Sequence, residues 1–288
     1  MGVVVNTNIS SITASRILSE NRADLEKAME RLASGKRINS AADDAAGMAV
    51  AAKMRADIGS LNQSVRNTND AISLVNTYDG AAQEIESILI RMRELAVQTR
   101  NGTYEEADRT NANFEYTALK NEITRIAGVS AFNRMTVGQG SSGAAGGTGV
   151  ADTSFTFYVG SDVAKTGNSI SFAAKALDLN LAVSSGTLNS VVDATSAGQA
   201  IATLDDAITE LAANRAQAGA LINRLEHTVS NLMNVSQRLQ EAVSGIEDAD
   251  YASESANLAR GMVLAQAGTA MLAQANQAPQ YILSLLRG

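Results

Sequence analysis

Residues 201–246 read IATLDDAITELAANRAQAGALINRLEHTVSNLMNVSQRLQEAVSGI. Steps of three and four residues from Ile201 reach Leu204, Ile208, Leu211, Arg215, Ala218, Ile222, Leu225, Val229, Leu232, Ser236, Leu239, Val243 and Ile246. Twelve of these fourteen positions are apolar. A 3.5-residue period held this long is a coiled-coil seam. At the rise of an α-helix the stretch makes a rod of about 70 Å. A rod of that length cannot bury its seam within one compact ball, so it needs a partner of matching length. Arg215 interrupts the seam. It either fixes register, as single polar seam residues do, or snorkels past the small Ala218.

The only partner of that length in the chain is an expected helix over about 41–100. Its apolar positions include Ile58, Leu61, Val65, Ile72, Val75, Ile85, Ile88, Leu89, Met92, Leu95 and Ala96. Ser40 and Asp43 have capping-box spacing at its start, and Asp44 adds an acid near the positive end of the helix dipole. Asn101-Gly102-Thr103 ends it, and a shorter helix over about 105–127 is closed by Gly128. The N- and C-terminal halves therefore lie side by side.

A second pair is expected at the ends. Leu18, Leu25 and Leu32, with Ala14, Ala28 and Met29, mark a helix over 8–33 that stops at Ser34-Gly35. Asp248-Ala249-Asp250 starts the last helix. Its surface is mostly Ala, with Leu258, Met262, Val263, Leu264, Met271 and Leu272. Helices with such weak seams are marginal in water, so these ends should order on association. Between the halves, 138–149 holds six Gly in twelve residues and reads as a loop. Residues 154–159 and 169–172 alternate like strands of a hairpin joined by 160–168; 176–199 fits no single element. The fold class is mainly α: a long antiparallel helical rod, a coiled-coil bundle of paired halves, with a small β-hairpin region in the middle.

Composition narrows the chemistry. The 288 residues include no Cys, no Trp, one His (His227) and one Pro (Pro279). No thiol nucleophile, disulfide framework or His-pair metal site can be built from them. No cofactor or metal is expected, and no enzyme. Asp43, Asp44 and Asp57 lack the spacing of a calcium loop, and Asp43, Asp44, Asp248 and Asp250 read as helix caps. His227 reads as a solvated helix residue. The net charge of −7 opposes nucleic-acid binding. The first twenty residues lack the basic and apolar regions of a secretory signal. The uncharged stretch 261–286 carries Gln266, Gln274, Asn276, Gln277 and Gln280, which makes it a poor membrane span, so no membrane insertion is expected.

The two ends together resemble bacterial flagellin. The resemblance is carried by ERLASGKRINSAADDAAG at 30–47, RMRELAVQ at 91–98 and NGT at 101–103. It continues in NRL at 223–225, IEDAD at 246–250, QANQAPQ at 274–280 and LSLL at 283–286. These blocks lie in the family's order and spacing, over about 1–137 and 200–288.

The resemblance implies an inner filament-core domain from 1–40 plus 246–288. It implies a helical outer domain from 41–137 plus 200–245, with 138–199 as a variable surface region. It implies a subunit that leaves the cell unfolded by flagellar type III export and polymerises with itself into the extracellular filament used for motility. Its partners would be the flagellar cap and hook-junction proteins and an export chaperone. A hook–filament junction protein, with similar termini, is the alternative. Residues Leu18, Leu25, Leu32, Ile208, Leu211, Leu225, Leu232, Leu239, Leu264 and Leu285 would form the assembly and packing seam. Arg91 and Leu95, four apart on one helix, with Glu115 on the next, match positions bound in some flagellins by the vertebrate Toll-like innate immune receptor. Ser141, Ser142, Thr148, Ser184 and Ser185 lie where flagellins often carry O-linked glycans.

Overall fold

The computed structural model describes residues 7–138, 153–160, 167–177 and 190–287, with the side chains of Thr153 and of 278–287 outside the description. The chain is mainly α. In order it forms α1 (Ile9–Ser34), α2 (Ala45–Arg100), α3 (Glu106–Val129), β1 (Ala131–Phe132), β2 (Met135–Thr136), β3 (Thr153–Tyr158), β4 (Ser169–Ala174), α4 (Ala194–Glu247) and α5 (Tyr251–Arg287). Two compact units result. One joins Met1–Ile58 to Gln237–Gly288; the other is Gly59–Ser236.

Local chemistry sets the ends of the helices. The Asn8 side chain accepts a hydrogen bond from Ser11 N at 3.1 Å and caps α1. Gly35 closes α1 in the left-handed region, at φ 71°, where its N–H reaches Arg31 O. The start of α2 departs from expectation. Ser40 is not its cap, because Ser40 N and Oγ both donate to Asp43 Oδ2, at 2.9 and 3.0 Å, and close a turn ahead of the helix. Asp44 is the cap, with Oδ1 accepting from Gly47 N at 2.9 Å. The helix thus begins at Ala45 rather than near Ala41. At α5 the cap is Asp250, whose Oδ1 accepts from Ala252 N at 3.0 Å.

In the unit Gly59–Ser236, α2 and α4 run antiparallel. Arg93 pairs with Asp205, Arg215 with Asp79, and Ser236 with Asn62, so one number falls as the other rises. The part of the seam within this unit runs from Ile201 to Ser236, and none of its eleven positions is exposed; Leu204, Leu211, Ala218, Leu225, Leu232 and Ser236 are buried. A third column, Ala200, Ala207, Asn214 and Leu221, is also buried. Two columns serve one partner. Three columns fit a core with more neighbours, and α3 adds Tyr116, Ile123 and Ala127 to the same cluster.

The hairpin closes this core. β3 and β4 pair antiparallel from Thr153↔Ala174 to Tyr158↔Ser169. Ile170, Phe172 and Ala174 alternate inward, as a one-sided strand requires. The Phe172 ring meets the Tyr78 ring edge-on, with centroids 5.3 Å apart, and the Tyr78 hydroxyl donates to Lys175 O at 3.1 Å. The small β1–β2 hairpin is not read from sequence. Its turn places Asn133 and Arg134 at φ 48° and 65°, the left-handed pair of a tight hairpin turn. Of 176–199, residues 194–199 belong to α4.

In the other unit α1 and α5 are antiparallel partners. Asn8 Nδ2 donates to Ala275 O at 2.7 Å, Arg31 pairs with Glu254 at 3.0 Å, and the Tyr251 hydroxyl donates to Leu32 O at 2.7 Å. Leu18 and Ala28 are the buried residues of α1, while Leu25 and Leu32 are half-buried. The ends are helical here, yet the pair buries little apolar surface on its own.

Candidate functional site

The α1–α5 pair leaves large apolar side chains in solvent. Ile9 is 68% exposed and Met271 65%; Ile12, Ile17, Val263 and Leu264 are also exposed. Leu264, expected in the assembly and packing seam, is thus exposed in the unassembled chain. On α5 the half-buried positions are Glu254, Leu258, Gly261, Ala265, Gly268, Leu272 and Ala275, and Leu264 falls beside that stripe. A groove of about 500 Å³ lies between the helices, lined by Ile9, Thr13, Ile17, Leu264, Gly268 and Met271. Apolar patches of this kind mark interaction surfaces. The Leu285 side chain lies outside the described residues.

Two glycines that sequence reading passed over shape this pair. A β-carbon on Gly268 would stand 3.1 Å from Leu18 Cδ1, and one on Gly261 would stand 3.4 Å from Leu25 Cβ. Each Leu thus enters a notch on α5. The signal was available: Gly261 and Gly268 are seven apart, as Leu18 and Leu25 are, so both pairs keep to one helix face.

Where α1 gives way to α2, and α4 to α5, the chain is sewn together. Lys36 and Asp248 form an antiparallel bridge. Arg37 N donates to Glu247 O at 2.6 Å, and Ala249 N donates to Gly35 O at 3.0 Å. The Glu247 side chain is buried between two cations, with Arg55 at 2.7 Å and Lys36 at 3.7 Å. Nearby, the backbone N–H of Ser40 and then its hydroxyl hold the Asp43 carboxyl below the usual range. Glu247 was not singled out from sequence; an acid at the last position of a long helix, where the dipole disfavours it, was the clue.

In the unit Gly59–Ser236, Arg91 bridges to Glu115 on α3 at 2.9 Å and to Glu94 at 3.1 Å. Both partners raise its pKa, Glu115 first. Arg91 and Glu115 are exposed and adjacent. Leu95 is not beside them on the surface, because it is 2% exposed and packs in the core. The spacing of four does put the two on neighbouring faces, but Leu95 belongs to the buried stripe of Leu89, Met92 and Ala96 while Arg91 lies just outside it. Ile208, Leu211, Leu225 and Leu232 belong to the interior of this unit, with Ile208 at its edge; Leu239, in the other unit, is half-buried.

Arg215 resolves as a cross-helix ion pair. Its Nε donates to Asp79 at 2.9 Å and its Nη1 to Glu86, one heptad further along α2. The Asp79 hydrogen bond is the first cause of its raised pKa. His227 is exposed and lines a cavity of about 510 Å³ with Arg224, Asn231 and Asn168. Among the described residues no group of three His, Cys, Asp or Glu could hold a metal ion. Among them, too, no helix is long and apolar enough to cross a membrane. Ser141, Ser142, Thr148, Ser184 and Ser185 lie outside the described residues.

Comparisons with known proteins agree across the chain. The family profile described as the bacterial flagellin N-terminal helical region matches residues 5–142. The profile of the bacterial flagellin C-terminal helical region matches residues 201–286. A flagellin of Halalkalibacterium halodurans is 42% identical over 287 residues, covering 99% of this chain and all of that protein. The flagellar filament 33 kDa core protein of Treponema phagedenis is 39% identical over the same coverage. The crystal structure of Bacillus cereus flagellin aligns with a TM-score of 0.47 at 34% identity, covering 58% of this chain and 88% of that one. With both profiles matched and relatives aligned from end to end, the chain belongs to the bacterial flagellin family.

Proposed function

We propose that this protein is the structural subunit of an extracellular flagellar filament, polymerising with copies of itself for motility. The observation that carries the reading is the α1–α5 pair. It exposes Ile9, Ile12, Ile17, Val263 and Met271 along one antiparallel helix pair, while α1 fully buries only Leu18 and Ala28 among its described residues. Further copies of the chain are the occupant that a family of filament subunits supplies for that surface. The resemblance adds the finer statements. Residues 1–40 and 246–288 act as the inner domain, and 41–137 with 200–245 as the outer domain. The chain leaves the cell unfolded through type III export with a chaperone, and meets the hook-junction and cap proteins during growth. With no Cys it has no disulfide to obstruct threading. The names of the relatives, flagellins and filament core proteins, support this reading over a hook–filament junction protein.

The test is polymerisation. Purified chain added to sheared filament seeds should extend them into long filaments under the electron microscope. A chain lacking 251–288 should stay unassembled while its Gly59–Ser236 unit still melts cooperatively. Failure of the intact chain to extend seeds under any salt condition would return the junction-protein reading.

The unassembled subunit is also a ligand for the vertebrate Toll-like flagellin receptor. Support comes from the exposed Arg91–Glu115 pair on adjacent helices, at the positions that the family resemblance marks.

A further inference from the structure

We infer that Met271 is an oxidation site through which peroxide blocks assembly of the unpolymerised chain; the inference rests on the assembly face proposed above. The chain contains nine Met but no Cys and no Trp. A two-electron oxidant therefore finds the thioethers the softest groups available. Their accessibilities differ widely. Met92 is 0% exposed in the core of α2, whereas Met271 is 65% exposed on α5. Met271 also lines the apolar groove between α1 and α5, facing Ile9, Thr13 and Ile17 across it, with Leu264 and Gly268 on its own helix. Met262 is exposed too but is not among the groove's lining residues. It is nine residues from Met271, which places it on the opposite side of α5.

The chemistry needs only hydrogen peroxide. A sulfur lone pair attacks one peroxide oxygen, the S–O bond forms and the O–O bond breaks. The departing hydroxide takes the proton from the oxygen now bonded to sulfur and leaves as water. Sulfur is oxidised by two electrons and the peroxide is reduced. The product is a sulfoxide, a strong hydrogen-bond acceptor in place of an apolar, flexible group. In the free chain it stays solvated at little cost. In a polymer that covers the groove with a further copy, it would lose water beside Ile9, Ile17 and Leu264, with Ser10, Thr13 and Asn21 as the side-chain donors lining the groove, and burying a polar group whose lost hydrogen bonds are not all replaced is costly. Oxidation thus selects against the assembled state without unfolding the free one.

The test treats unassembled full-length chain with hydrogen peroxide, quenches it, and maps oxygen incorporation by peptide mass spectrometry. Met271 should oxidise readily and Met92 should be spared. The treated chain should extend wild-type seeds more slowly by about tenfold or more, given the cost of a buried polar group. Met271→Leu, a volume-conserving change, should extend seeds normally before and after treatment. Met262→Leu should remain as sensitive as wild type. Met271→Gln should elongate slowly with no peroxide at all. In preformed filaments Met271 should resist oxidation. Normal elongation by oxidised wild type, equal inhibition of Met271→Leu, or equal oxidation of Met271 in filament and free chain would each overturn the inference alone. Failure of the untreated chain to extend seeds would overturn the filament reading as well.

Discussion

Leu18 and Gly268 fit each other as knob and notch. A β-carbon on Gly268 would come within 3.1 Å of Leu18 Cδ1, closer than ordinary packing allows. One heptad away Leu25 meets Gly261, but there the β-carbon would stand at 3.4 Å, an ordinary contact. Helix propensity favours Ala over Gly by about 1 kcal/mol at both sites. At 261 nothing opposes it, so Gly261→Ala should slow amide exchange along 251–277. At 268 the Leu18 methyl must move, so Gly268→Ala should gain less, and Gly268→Leu should splay α1 from α5. Equal protection in Gly261→Ala, Gly268→Leu and wild type would show that the notches do not hold the pair.

Leu225→Asp addresses the seam inside the unit Gly59–Ser236. Leu225 is buried within the shared core of α2, α3 and α4. A carboxylate there has no cationic partner, so the loss should be about 3–5 kcal/mol. Leu239→Asp, at a half-buried position, should cost clearly less. Thermal melts of the two variants, followed by circular dichroism, compare them directly.

These cases mark how much of the fold was legible in the sequence. The seam period gave α4 and its antiparallel partner because apolar spacing reports a buried face directly. It did not give the Ala200, Ala207, Asn214 and Leu221 column. Ala fits buried and exposed positions alike, and Asn214 is polar, so a third column with Leu221 as its one large apolar residue is silent. Asp43 and Asp44 show the same limit at single-residue scale. Both are good caps, and only the backbone path decides that Asp43 ties the turn while Asp44 caps the helix. Leu95 sits in the core although it lies four residues from the exposed Arg91, because a spacing of four fixes a direction around the helix, not which side of the core boundary it falls on.

Tyr116 offers a gain in stability. Its hydroxyl is buried with no hydrogen-bond partner, and burial raises its pKa above the ordinary 10.0. Tyr116→Phe removes an unsatisfied polar group and should stabilise the protein by about 1 kcal/mol. The pH dependence has a definite sign. With the folded pKa raised, the unfolded chain gives up the Tyr116 proton first as pH rises above 10.0. Wild type should therefore lose stability above that pH faster than Tyr116→Phe. Chemical denaturation at neutral pH and again at high pH measures both effects.

Arg215→Leu would leave Asp79 and Glu86 without their shared cation on a half-buried helix face. Loss of one partner from such a cluster should cost about 2 kcal/mol, less than in a fully buried pair. Adding Asp79→Asn and Glu86→Gln to Arg215→Leu should recover most of it, since an apolar seam residue facing neutral neighbours suits a coiled coil. If the triple variant melts as low as the single one, the deficit comes from lost packing of the Arg stem.

Receptor recognition turns on separating surface from core. Arg91 and Glu115 form an exposed, solvent-screened ion pair, so truncating either should leave the thermal melt essentially unchanged. Leu95 lies in the core, and Leu95→Ala should cost about 2–4 kcal/mol in stability. A signalling defect in Leu95→Ala therefore says little by itself, whereas one in Arg91→Ala reports contact. Loss of an interface Arg of this kind should lower the potency of unassembled chain by roughly one to two orders of magnitude in a receptor reporter assay. Glu115→Ala should act in the same direction, by releasing Arg91 from one of its two carboxylate partners and removing an anion from the same patch. Cross-linked filaments should signal poorly if the face is covered between subunits. Wild-type potency in both Arg91→Ala and Glu115→Ala, with melts unchanged, would leave the pair as a helix-to-helix brace and remove this surface from any account of immune recognition.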